Sequence, residues 1–270
     1  MKHENGFDFV EYPCASGKAD ALVIILPGHA NHPVMFDKLA RQIRDERPNT
    51  DILIVKAPVP LGATKEHIRK NGARGADDLY TWHKISKNAG ENAKLVLSHF
   101  FNRVPVVDQL NAFADAQLQK RGLGDDGLAL FGFSLGGAIA VQMGTRRPAQ
   151  VAAVINHSGP VFPIIKPKSR PETLFVMGEK DDFFYAGKMN VDPAQAKPPK
   201  GKLKKAFDNA VNDAVSQVSL HFDDSLKRLK NAKLPVEDKV VPGLGHTINK
   251  NSFTPAMDFL RRKLGKPKGP

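Results

Sequence analysis

Residues Leu128-Ala-Leu-Phe-Gly-Phe-Ser134-Leu-Gly-Gly-Ala-Ile-Ala140 limit the possible folds more than any other stretch of the chain. An apolar run of strand character stops at Gly132, and a helix-forming run begins at Leu135. The chain must therefore turn from strand to helix within Gly132-Phe-Ser-Leu-Gly136, a match to the Gly-x-Ser-x-Gly pattern of a nucleophile elbow. A serine at the apex of so tight a turn needs small residues two positions away on each side, or the turn cannot close. Its hydroxyl is left exposed at the carboxyl end of a sheet, above the amino end of the next helix. Free N–H groups and a positive dipole at that helix end suit a developing oxyanion. A plain glycine-rich turn carrying an ordinary serine would need neither the strand before it nor the helix after it.

The rest of the chain repeats this alternation. Ala21-Leu-Val-Ile-Ile-Leu26 is a short continuous apolar run closed by Pro27-Gly28, the pattern of a strand buried on both faces. A helix around 34–44, a strand over 51–55 and an amphipathic helix over 108–120 precede the elbow strand. Strands over 151–155, 173–177 and 236–241 follow it, and a helix over 253–264 closes the chain. Strand and helix in regular succession predict one α/β domain over residues 1–270, built on a doubly wound, mostly parallel sheet with helices on both faces. Two segments depart from the pattern. Residues 62–91 are polar and contain Tyr80-Thr-Trp-His83, which suits a loop or cap over the sheet edge. Residues 186–207 form a basic insertion rich in proline and lysine, leading into a long helical stripe over 203–229.

Size and composition narrow the class. A chain of 270 residues, 41% hydrophobic and 25% charged, can bury a sizeable core and matches a globular protein in water. No apolar run approaches the ~20 residues needed to cross a bilayer. The amino terminus lacks the apolar core of a signal peptide. Cys14 is the single cysteine, which excludes an internal disulfide and fits a reducing cytoplasm. The net charge of +12 raises weak contact with anionic surfaces as a possibility. The basic residues collect in 197–205 and in the carboxyl-terminal tail, without interleaved aromatics, so a solvated basic face is expected and no nucleic-acid reader.

A serine hydroxyl needs a base, and the base needs an orienting acid. The strand over 173–177 runs into Gly178-Glu-Lys-Asp181-Asp182, so a carboxylate emerges at the same sheet edge as the elbow. Asp181 is the expected acid, with Asp182 the alternative. The last strand leads to Pro242-Gly-Leu-Gly-His246, and His246 is the expected base. His157 also follows a strand but precedes the acid, and is the weaker candidate. The order Ser, Asp, His is that of α/β-hydrolases. Leu135, directly after the nucleophile, supplies one oxyanion-hole amide. The loop Pro27-Gly-His29-Ala-Asn31 supplies the second, through the backbone N–H of His29. His29 and His32 stand three apart with no carboxylate or cysteine set to complete a metal site, and no phosphate cradle or dinucleotide fingerprint appears. No metal and no cofactor is expected.

With these motifs in view, the chain resembles the phospholipase/carboxylesterase family of α/β-hydrolases, which includes acyl-protein thioesterases and small bacterial carboxylesterases. The similarity runs from Leu22-Val-Ile-Ile-Leu-Pro-Gly28 through the elbow and Gly178-Glu-Lys-Asp181 to Gly243-Leu-Gly-His-Thr-Ile248. It implies the α/β-hydrolase fold and a cofactor-independent serine esterase acting on small carboxylic esters or thioesters, with a short-chain carboxylesterase the leading reading. Lysophospholipase or acyl-protein thioesterase activity is the alternative, and a silent hydrolase fold used for binding is the reading from a different class. Trp82 looks similar to a tryptophan that lines the family's acyl pocket. Two positions depart from the family: Pro27-Gly-His29-Ala30 stands where His-Gly-x-Gly is usual, and Leu135 where glutamine is usual.

Overall fold

A computed structural model describes residues 1–61, 79–83, 98, 104–181 and 222–265. Its centre is an eight-stranded sheet. In chain order the strands are β1 (Lys2–Glu4), β2 (Phe7–Tyr12), β3 (Ala21–Leu26), β4 (Thr50–Val55), β7 (Leu128–Phe133), β8 (Ala153–His157), β9 (Thr173–Gly178) and β10 (Val236–Val241). Across the sheet they run β1-β2-β4-β3-β7-β8-β9-β10. Strands β1, β2 and β4 pair antiparallel, and every neighbouring pair from β4 to β10 is parallel. A two-residue pair, β5 (Val59–Pro60) and β6 (Tyr80–Thr81), lies apart from it.

The helices that cover the sheet among the described residues are α1 (Asp37–Glu46), α2 (Pro105–Arg121), α3 (Leu135–Arg146), α4 (Phe222–Asn231) and α5 (Lys250–Lys263). Period-two alternation along the strands sorts the core into two layers. Leu22, Ile24 and Leu26 of β3 pack in one layer with Leu110 and Phe113 of α2 and Ile139 and Met143 of α3. Val23 and Ile25 pack in the other with Leu39 and Ile43 of α1 and Phe253 and Phe259 of α5. All six residues of β3 are buried, as the unbroken apolar run predicts. Each fully buried Leu, Ile or Phe contributes about 1.5–3 kcal/mol, so this double layer is the main source of stability.

Charged pairs fix how the layers meet. The Arg121 guanidinium, at the end of α2, donates to Glu11 of β2 at 2.6 Å and to Asp51 of β4 at 2.7 Å. Arg147, just past α3, pairs with Asp115 of α2 and with Asp125 in the turn before β7. Such pairs set register more than they add stability, because removing the ions from water costs energy.

The described elements agree closely with the sequence expectations from β3 onward. The antiparallel strands β1 and β2 were not expected. β8 begins two residues later than the apolar run and extends to His157. The closing helix begins at Lys250 because Asn249 and Ser252 form a reciprocal capping box. Of the expected loop over 62–91, residues 62–78 and 84–91 lie outside the described residues; so do the whole of the basic insertion, 186–207, and the stripe before Phe222. Among the described residues no helix is long and apolar enough to cross a membrane.

Candidate active site

The elbow is shaped by close backbone approach. Ser134 has φ 54° and ψ −124°, a strained conformation for a residue with a side chain. A Cβ on residue 132 would stand 2.1 Å from the Gly136 carbonyl oxygen, and one on residue 136 would stand 2.0 Å from that of Leu26. Only glycine fits either position. The Ser134 amide donates to the His157 carbonyl at 2.8 Å, which ties the elbow to the end of β8. Surrounding structure thus holds the strained serine at the carboxyl edge of the sheet.

The structure brings Ser134, His246 and Asp181 together. The Ser134 hydroxyl lies 3.0 Å from His246 Nε2. His246 Nδ1 lies 2.9 Å and 3.1 Å from the two Asp181 carboxylate oxygens. A carboxylate only accepts, so Nδ1 carries the imidazole proton and Nε2 is left to accept from the serine. Asp181 is fully buried, while the His246 side chain keeps 20% of its surface in solvent. Asp182 lies outside the described residues.

Backbone contacts lace the loops bearing Asp181 and His246 into one unit. The Glu179 amide donates to the Val241 carbonyl at 3.0 Å and the Lys180 amide to that of Leu244 at 2.8 Å. In return, the Gly243 amide donates to the Glu179 carboxylate at 2.8 Å.

The loop after β3 packs directly against Ser134. A Cβ on Gly28 would stand 2.9 Å from Ser134 Cβ. The Gly28 amide is already engaged, donating to Asn31 Oδ1 at 2.9 Å. His29 follows, with its ring Nδ1 2.9 Å from Thr81 Oγ1. Leu135 opens α3 immediately after the serine.

Trp82, which the resemblance puts in the wall of an acyl pocket, packs in the core beside the loop after β3. It is 2% exposed, and its indole N–H donates to the Pro27 carbonyl at 2.7 Å. Amphipathic indole favours a buried body with a satisfied N–H, and here that N–H braces the loop bearing His29. Trp82 is also absent from the residues that line the cleft beside His246.

That cleft has a volume of about 440 Å³ and lies between the start of α1 and the start of α5, with Phe133 and His246 among its walls. The Phe133 ring sits 5.0 Å from the His246 ring and 5.7 Å from that of His157. His157 is fully buried with no hydrogen-bond partner on either ring nitrogen. Burial, with a smaller contribution from the nearby His246, pushes its pKa down to about 3, so it stays neutral. Sequence reasoning missed Asn31, Thr81 and Phe133 as neighbours of the site. Asn31 alone had a local signal, an amide side chain three residues after a glycine that must turn. Among the described residues no group of three His, Cys, Asp or Glu could hold a metal ion.

Residues 105–225, which include Ser134 and Asp181 but not His246, match the family model described as "Putative esterase". No curated protein matches the chain. Among solved structures, the chain is similar to esterase PE8, at 21% identity over 96% of this chain and 99% of that one, with a TM-score of 0.66. It is also similar to a carboxylesterase from Mesorhizobium loti, at 15% identity over 94% of each chain and a TM-score of 0.59. Arabidopsis thaliana SOBER1 matches at 18% identity, covering 91% of this chain and 99% of its own, with a TM-score of 0.57. The partial match is to an esterase family model, and the chain shares its α/β fold with these solved esterases. The resemblance read from the four sequence motifs is borne out at that level.

Proposed function

We propose that this chain is a serine carboxylesterase in which Ser134, His246 and Asp181 form the catalytic triad. The continuous hydrogen-bonded line from Ser134 Oγ through the His246 ring to buried Asp181 carries the reading. Ser134 Oγ attacks the ester carbonyl carbon while His246 Nε2 takes its proton. Asp181 holds the ring in the tautomer that frees Nε2 and stabilises the imidazolium that forms. The backbone amides of His29 and Leu135 stabilise the oxyanion. The engagement of the Gly28 amide by Asn31 supports His29 as the donor from that loop. As the carbonyl reforms, the carbon–oxygen bond to the alcohol breaks, and the proton on His246 passes to the departing oxygen. Water, deprotonated by the same nitrogen, then releases the acid and restores the serine. Trp82 acts in this scheme by bracing the oxyanion loop.

The single-cysteine composition supports a reducing cytoplasm as the site of action. The basic 186–207 insertion supports weak attraction to anionic surfaces; replacing Lys200, Lys202, Lys204 and Lys205 with glutamine then weakens binding to acidic vesicles at low salt. Labelling by a fluorophosphonate probe tests the triad directly. The wild type is labelled and Ser134→Ala is not. An unlabelled wild type would leave the fold as a binding scaffold. Turnover of short-chain esters, against lysophospholipids and acyl thioesters, separates the carboxylesterase from its two closest alternatives.

A further inference from the structure

We propose that the cleft beside His246 is the leaving-group subsite and that it selects esters whose alcohol portion ends in an anion, a carboxylate or a phosphate. The inference rests on the triad reading above and names the substrate class for that site. His246 must return its proton to the departing alcohol oxygen, so the alcohol leaves on the imidazole side of Ser134. The about 440 Å³ cleft opens on that side, with His246 among its walls. Phe36, Leu39, Phe133 and Phe253 give the cleft an apolar patch, which suits a hydrocarbon segment, and Asn31, Gln42, Thr247 and Asn249 line it beside them.

The chemistry changes toward solvent. Lys38, from the first turn of α1, and Lys250, the first residue of α5, both line the cleft and are exposed. Among the described residues that line the cleft, none is an Asp or Glu. Neither lysine has an ion-pair partner among the described residues, whereas Lys2, Lys56, Lys120 and Lys263 each have a carboxylate. Two exposed ammonium groups in the same cleft as that apolar patch favour an anion carried at a distance from the reacting ester. A ligand of this kind needs an apolar stem and one terminal charge, the form of an acylated ω-hydroxy acid or ω-hydroxyalkyl phosphate.

Hydrolysis of ω-acetoxyalkanoates with four to eight carbons, followed by acid release, compares directly with alkyl acetates of matching length. An ω-acetoxyalkyl phosphate forms a third arm. The saturated chain insulates the ester from the terminal charge, so differences report binding rather than leaving-group reactivity. The wild type is expected to prefer the charged ester by about tenfold in kcat/KM, the sum of two exposed charge contacts. The preference should peak at one chain length and act chiefly through KM. In Lys38→Gln/Lys250→Gln the charged-to-neutral ratio falls toward one. The stronger of the carboxylate and phosphate arms identifies which anion the site takes. A wild type that cleaves neutral and charged esters equally overturns the proposal and leaves the triad reading intact, as does a preference that survives in the double variant. A wild type that cleaves none of these esters and resists fluorophosphonate labelling overturns the triad reading instead.

Discussion

Gly178 and Leu244 are in direct backbone contact: a Cβ on residue 178 would stand 2.2 Å from the Leu244 carbonyl oxygen. The end of strand β9, which leads to Asp181, is thereby pressed against the loop that carries His246. The spacing of Asp181 and His246 depends on that contact as well as on their own hydrogen bond. Gly178→Ala must push the two segments apart. Overpacking of this kind costs about 1–3 kcal/mol. A displacement of the imidazole by ~1 Å can cost as much as 10²-fold in rate. The variant is expected to melt at lower temperature and to show a kcat at least tenfold lower. Wild-type values for both would remove Gly178 from the account of the site.

The acid itself is tested by paired substitutions. Asp181→Asn keeps the size of the side chain but can donate to Nδ1, which favours the wrong imidazole tautomer. A loss of kcat on the order of 10⁴-fold is expected, with KM little changed. Asp182→Asn should stay within a few-fold of wild type. A reversal of this order in steady-state assays of a p-nitrophenyl ester would move the acid to Asp182.

The parallel half of the fold was legible because buried parallel strands leave an unmistakable trace, as in the six apolar residues of β3. The elbow was legible for a stricter reason: at residues 132 and 136 a backbone oxygen stands where a Cβ would be, so only glycine can be written there. β1 and β2 were missed because an edge pair with one face toward solvent mixes charge with apolar residues, as Phe7-Asp-Phe-Val-Glu-Tyr12 does. The neighbours of the triad were harder still. Phe133 reads as one more strand residue, and its contact with two histidine rings is set by β8 and by the loop after β10, far away in sequence. Trp82 was placed by resemblance, and its true partner, the Pro27 carbonyl, lies 55 positions earlier. Long-range contacts of that kind have no local signature.

The oxyanion loop separates side chain from backbone. If His29 acts through its amide, His29→Ala loses ring contacts such as that with Thr81 and keeps most of its activity. His29→Pro removes the amide hydrogen and should lower kcat by roughly 10²–10³-fold. Asn31→Ala leaves the Gly28 amide without its acceptor and loosens the same loop, so an intermediate loss is expected. Equal failure of the Ala and Pro variants at His29, both folded by circular dichroism, would assign the role to the imidazole.

His157 ties acid sensitivity to the core behind the serine. Its folded-state pKa is depressed from 6.5 to about 3, chiefly by burial. Between those values the unfolded chain holds a proton that the native state cannot accept. Stability therefore falls as pH drops below about 6.5, by up to about 1.4 kcal/mol per pH unit from this residue, and the loss levels off near pH 3. His83, depressed to about 4 by burial, adds a second contribution of the same sign over a shorter range. Phenylalanine at 157 keeps an aromatic ring, one atom larger, and replaces two nitrogens that have no hydrogen-bond partner among the described residues. Replacing unsatisfied buried polar atoms by apolar ones of similar shape is neutral to stabilising. Denaturant titrations of His157→Phe from pH 7 to pH 4 should show equal or greater stability at pH 7 and a shallower decline on acidification, with the His83 contribution remaining. An unchanged acid limb would place the sensitivity elsewhere. A folded His157→Phe that loses turnover would instead give the buried ring a part in holding His246 through Phe133.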